Sequence, residues 1–293
     1  MLNKKFIHLI MLAAMLTGLF SLKPATSAHA ATQTVNTLTD ENDGSCLDGD
    51  CSLRDAIAVS ADNDTITFSV TGTIVLTAAL TVDKSLTITG PGSAQLTLDG
   101  NNQYQIFILS DDTPTNTINI SGMTMTKGYA NPAVVCGGGA IRSWAFLTMN
   151  DVVITNNHAP ADVVNCFYPR GGGVLFFNGK GSLTLTNSTI SNNSTYWGGG
   201  GVYFQSQTGN VSLDNVIVDG NQSTGSDGGG MSIENALATA SITNSTFSNN
   251  DAIGSGSRGG GLLLYKNITT PTVTIQNSTF SLNTAYDGGG IYI

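Results

Sequence analysis

Beyond residue 30 the sequence holds one histidine, His158. Any mechanism that needs a histidine base has a single candidate, and a multi-histidine metal centre has none. His158 follows Asn156-Asn157 and precedes Ala159-Pro160, which reads as a loop outside any chemistry. Cations are scarce too. The whole chain carries 11 Lys and Arg against 20 Asp and Glu, a net charge of −9. Setting aside Lys4, Lys5 and Lys23 leaves 8 against 20, or −12. Nucleic acids and anionic membranes demand basic patches, so neither is a partner. Eighteen of the 20 acids are Asp. Asp favours turns, where its short side chain bonds nearby backbone, so most of this acidity reads as turn chemistry and solubility. No apolar run after residue 30 is long enough to span a bilayer. From residue 63 onward no ten-residue stretch has the 3.6-residue period of a helix, and β-branched residues and glycine dominate. That excludes an α-solenoid.

Residues 1–30 have the form of a secretory signal: Lys4-Lys5, an apolar stretch from Phe6 to Phe20, and an A-x-A site at Ala28-His29-Ala30. About 15 apolar residues fall short of the roughly 20 a membrane span needs. Export exposes the four cysteines to oxidising conditions, where disulfides are the default. Cys46 is expected to pair with Cys51, and Cys136 with Cys166. Neither pair has the C-x2-C spacing of a zinc site.

What the sequence does contain is a repeat. Six glycine runs begin at Gly137, Gly171, Gly198, Gly228, Gly259 and Gly288. The residues after them, Ala140, Val174, Val202, Met231, Leu262 and Ile291, are spaced by 34, 28, 29, 31 and 29 residues. A fixed period of this size signals a solenoid. A second column of short alternating strands closes at Gly100, Gly122, Asp151, Asn187, Asn215, Asn244 and Asn277, at intervals of 22, 29, 36, 28, 29 and 33. Gly, Asp and Asn tolerate a left-handed backbone, so this column predicts a tight bend. A third strand follows each bend and leads to Asn157, Asn193, Asn221, Asn250 or Asn283.

Three short strands and three turns per period describe one coil of a parallel β-helix. Successive coils stack at about 4.8 Å, with apolar ladders inside and Thr, Ser and Asn outside. The chain therefore divides into a signal over 1–30, an N-terminal cap over 31–62 and β-helix repeats over 63–293. In the cap, Ser52 and Asp55 have capping-box spacing for a short helix that would close the first coil. The last residues, Gly290-Ile291-Tyr292-Ile293, stop inside a strand with an apolar coil open, so the natural protein is expected to continue into further repeats or an anchor.

Three motifs carry a resemblance. Gly138-Gly139-Ala140-Ile141 is a literal GGAI, and Phe247 to Asn250 and Phe280 to Asn283 are literal FxxN. Alternating GGA(I/L/V) and FxxN repeats resemble those of the polymorphic outer-membrane proteins of chlamydiae. Cys51 to Ile57, CSLRDAI, is similar to the CSLREAI motif that opens many bacterial secreted β-helix proteins, with Asp55 in place of Glu. The resemblance covers roughly residues 34 to 293. It implies a right-handed, pectate-lyase-like parallel β-helix, secreted or displayed at the cell surface or outer membrane, and often adhesive.

In the strand after each glycine run, the first and third residues are expected to face in: Ala140/Arg142, Val174/Phe176, Val202/Phe204, Met231/Ile233, Leu262/Leu264 and Ile291/Ile293. The second and fourth then face out: Leu175/Phe177, Tyr203/Gln205, Ser232/Glu234, Leu263/Tyr265 and Tyr292. This outer face carries one carboxylate, Glu234, whereas pectin-cleaving β-helices cluster several acids on one face. The best catalytic candidates are Asp227, Arg258 and Asp287, which precede three successive glycine runs and would stack as acid, base, acid. A surface charge ladder is the favoured reading of them. Phe177, Tyr203, Tyr265 and Tyr292 could form an aromatic strip for binding sugar or protein. Asp40-Glu41-Asn42-Asp43-Gly44, with Asp48 and Asp50, could hold calcium; a solvated, disulfide-closed turn competes with that reading. Together these features point to a secreted or surface β-helix, adhesin-like or structural and without catalysis. A polysaccharide lyase or glycoside hydrolase on the same scaffold is the alternative.

Overall fold

The computed structural model describes residues 30–110, 116–133, 136–161, 165–179, 181–206, 208–234, 239–265 and 272–293. The segment expected to be a signal, Ala30 apart, lies outside them. Residues 31–293 form one compact unit. It is a parallel β-helix: the pairings of its strands are all parallel, in sheets of thirteen, eight and four strands. No helix among the described residues is long and apolar enough to cross a membrane.

One coil shows how the sequence makes the shape. Val174–Gly179 lies in the eight-stranded sheet. Leu183–Ser191 follows in the thirteen-stranded sheet, bent at Asn187, whose φ is 49°. Ser194–Thr195 adds a two-residue rung to the four-stranded sheet. The glycine run then returns the chain to Val202–Ser206, one coil on. The bend column is left-handed throughout, at Gly122, Asp151, Asn187, Asn215, Asn244 and Asn277, with φ between 49° and 66°. L-residues avoid this region, and Gly, Asn and Asp tolerate it best.

Gly100 does not belong to that column. Leu96–Asp99 pairs with the far half of Thr117–Thr126, matching Thr97 to Thr124, while Leu86–Thr89 pairs with the near half. The bend of that coil falls between these two strands, so Gly100 sits at the following corner, where its N–H donates to Thr126 O. The odd interval of 22 was the trace of this.

The tube is filled by aligned ladders. Phe176 stacks on Phe204 and Phe247 on Phe280, each with ring centroids 4.8 Å apart. Burying Phe176, Phe204 or Phe247 contributes about 1.5–3 kcal/mol each. The first glycine rung departs from the expected register. Ile141 pairs with Val174, Arg142 with Leu175 and Ser143 with Phe176. Ala140 takes the place that Gly173 holds in the next coil, its N–H donating to Gly173 O. The strand is thereby displaced by one residue, Arg142 faces out over the Trp144 ring, and no unpaired guanidinium enters the core.

The FxxN asparagines form an internal spine. Asn157, Asn193, Asn221 and Asn250 are buried. Each Nδ2 donates to Oδ1 of the next, at 2.9, 3.0, 3.0 and 2.9 Å through to Asn283. The glycine run packs directly against this spine. A Cβ on Gly200 would lie 2.2 Å from Gly229 O and 2.6 Å from the backbone of Gln222. The tube is pinched here to two backbones in contact, so GGG and FxxN are two halves of one structural device.

At the N-terminal end the expected helix spans Leu53–Val59. Ser52 Oγ accepts from Asp55 N–H at 3.1 Å and donates to Asp55 Oδ2 at 2.7 Å. Leu53, Ala56 and Ile57 enter the core. Arg54 grips Asp40 with Nε and Nη2 at 3.0 and 2.7 Å and donates to the carbonyls of Ala78 and Ala79. The CSLRDAI residues thus fasten the cap to the first coil. His158, read as a loop residue, instead pairs with Ser194 in the four-stranded sheet, because it continues the column beside the asparagine spine.

Candidate functional site

Two columns meet on the outer side of the eight-stranded sheet. One is the residue before each left-handed glycine: Gly137, Arg170, Gly198, Asp227, Arg258 and Asp287. Bridges between Arg170 and Gly198, and between Arg258 and Asp287, fix their stacking. The other column comprises the outward residues of the strand that follows.

The run curls back over the first outward residue. A Cβ on Gly228, whose φ is 62°, would sit 2.0 Å from Ser232 Oγ. Leu175, Tyr203, Ser232 and Leu263 point away from the tube and are nevertheless buried. This corrects the aromatic strip expected from sequence: Tyr203 is covered. Its ring lies under the Arg170 guanidinium, 4.8 Å away, and its hydroxyl donates to Glu234 Oε2 at 2.8 Å. Burial, reinforced by the Glu234 charge, pushes the phenol far above its ordinary range. Phe177 and Tyr292 are half-buried, and Tyr265 is exposed. Arg258 lies over both Tyr265 and Tyr292, at 5.1 and 5.2 Å.

The charged ladder is asymmetric. Arg258 Nη2 reaches Asp227 Oδ2 at 2.6 Å, and the Arg258 N–H donates to Asp227 Oδ1 at 2.8 Å. The hydrogen bond to Asp227 holds the guanidinium charged, above its ordinary value. Asp287 is exposed and makes no ion pair among the described residues. Arg258 stands between Asp227 and Asp287 in the column, so the expected acid–base–acid stacking is present, with the ion pair formed at Asp227.

The sequence reading missed what lies around them. Arg170, Trp197, Ser226, Asp227, Glu234, Arg258 and Tyr265 line a surface pocket of about 190 Å³. Beside it stands an aromatic shelf made by the loops before two consecutive glycine runs. Tyr168 meets Trp197 edge-on at 4.6 Å, flanked by Phe167 and Tyr196. Phe167, Tyr168 and Tyr196 are 56%, 54% and 42% exposed. The local signal was the density of rings in Phe167-Tyr168-Pro169-Arg170 and Tyr196-Trp197, two stretches a coil apart.

Cys136 and Cys166 are bonded, and so are Cys46 and Cys51. The first bridge ties the loop bearing Phe167 to the coil beneath it. Around the second, Asp40 is engaged by Arg54 and Thr77, and Asp55 accepts from Gly44 N–H at 2.8 Å. Among the described residues no three His, Cys, Asp or Glu side chains are gathered as a metal would require. No protein-family model matches the chain, and no curated protein matches it.

Proposed function

We propose that this chain is a secreted or surface-displayed β-helix that works by binding, in the manner of an adhesin, and not by catalysis. The observation that carries this is the shelf of Phe167, Tyr168, Tyr196 and Trp197. Four large rings grouped on two adjacent loops, three of them more than 40% exposed, make a contiguous aromatic patch of the kind that serves interaction sites. The two disulfides fit an exported protein. The alternative of glycan cleavage draws little support from the ladder, because Asp227 is held by Arg258 and Asp287 stands apart in solvent. The partner is a cell-surface glycan or protein.

Adhesion tests the reading. Beads coated with the full chain should adhere to cell surfaces, and replacing Phe167, Tyr168 and Tyr196 together with Ser should abolish adhesion with the melting temperature kept. Adhesion unchanged in the triple variant would remove the shelf from the function. Release of reducing or unsaturated ends from glycans, lost in Asp227→Asn, would replace the binding reading with the enzymatic one.

A further inference from the structure

The pocket beside the shelf has a composition that identifies a ligand class. Four charged side chains line it, and they cancel. Arg258 is matched by Asp227 at 2.6 Å. The remaining two, Arg170 and Glu234, are not joined to each other. Glu234 accepts from the Tyr203 hydroxyl, and Arg170 makes no ion pair among the described residues. The Arg170 Nε is withdrawn from solvent and meets no acceptor. The same guanidinium stacks on the Tyr203 ring, so this one buried N–H is its polar group left over, and such a group calls for an explanation.

We propose that this pocket binds one pyranose ring of a neutral glycan. The inference rests on the binding reading above and names its ligand. Sugar hydroxyls both donate and accept, so they suit a site that offers an acceptor in Glu234, a donor in Arg170 and both in Ser226. Trp197 and Tyr265 supply apolar faces for the C–H side of a sugar ring. A pocket of about 190 Å³ lies below the roughly 300–1,000 Å³ of sites that engulf a whole small molecule. It takes one ring of a chain that continues along the surface. A polymer with a carboxylate on every ring fits poorly, since it meets Glu234 and a protein of net charge −9.

Calorimetric titration of the full chain with cellohexaose, mannohexaose and hexagalacturonate tests this, at low salt and at about 0.5 M salt, where surface charge effects are screened. The expected result is binding of at least one neutral hexasaccharide that salt does not weaken. Trp197→Ala and Tyr265→Ala should each weaken it roughly tenfold, the scale of one aromatic anchor. Glu234→Gln should weaken it as well. Phe146→Ala, an exposed ring outside the pocket, should not. Tyr265 is exposed, so its variant stays informative even if Trp197→Ala unfolds. Binding of hexagalacturonate alone, neutral binding that survives both ring deletions, or no binding of any probe overturns the proposal. In those cases, bead adhesion that persists would leave the binding function standing with a different ligand, and adhesion that is absent would end both.

Discussion

Oδ1 of Asn221 accepts two hydrogen bonds from Asn193, one from its backbone N–H and one from its Nδ2, both at 3.0 Å. The same pair of bonds recurs from coil to coil along the spine. Asn221 Nδ2 in turn reaches Ile190 O at 2.9 Å and Asn250 Oδ1 at 3.0 Å. One side chain therefore satisfies polar groups on two neighbouring coils.

Replacing Asn221 with Ala leaves the Asn193 N–H and amide and the Ile190 carbonyl without their partner. The expected loss is about 3 kcal/mol, since each orphaned buried group costs about 1–3 kcal/mol and relaxation recovers part. Asn221→Asp should be worse, because a carboxylate cannot donate to either acceptor and brings an unpaired charge. Chemical denaturation measures both. A loss under about 0.5 kcal/mol, the level of an ordinary surface change, would mean that the spine does not hold the coils.

The glycines of a single run should differ sharply. At Gly198 the nearest atom to an added Cβ is 3.6 Å away, and other coils carry Arg or Asp in that column. At Gly200 the neighbours are backbone atoms at 2.2 and 2.6 Å, which cannot swing aside. Gly198→Ala should leave the melting temperature within a degree or two. Gly200→Ala should prevent folding or cost on the order of 4 kcal/mol or more, the range reserved for core disruption. Equal tolerance at the two positions would contradict the pinched geometry.

Acid should relieve a strain in the cap. Burial and the nearby Asp50 charge raise the Glu41 carboxyl above its ordinary value of 4.5. A folded-state pKa above the unfolded one means that the folded chain binds the proton more tightly. The stabilisation is full below the unfolded value and is lost as pH rises through the folded one. Glu41→Gln, which removes the charge, should therefore raise the melting temperature at pH 7 and have no such effect near pH 4. Thermal melts of the two proteins across that interval decide it, and a gain that persists in acid would refute the electrostatic cause.

The fold was legible because its constraints are local and repeated. A left-handed corner admits few residue types, so Asn187, Asn215, Asn244 and Asn277 announced themselves. The glycine runs did so because two backbones touch there. The readings that failed were those in which the repeat slips. Ala140 stands in for a glycine and shifts one strand by a residue, and Gly100 borrows the look of a corner it does not make. The site was less legible. Alternation correctly assigned Tyr203 to the outer side of the strand, but it cannot see that the preceding run folds over it. Arg170 and Trp197 lie in loops of variable length, where no column marks what they face, and only the folded chain sets them beside Glu234 and Tyr265.

Gly201 and Gly230 hold the same position on adjacent rungs, each passing its carbonyl to the coil before it. The segment from Val202 to Gly230, 29 residues by the pairing of Val202 with Met231, is consequently a self-contained quantum of length. Removing or duplicating it would join like to like at both seams. A gene encoding such a rod can grow or shrink by whole steps under selection, carrying its loop decorations nearer to or farther from whatever they touch, with no new architecture to invent.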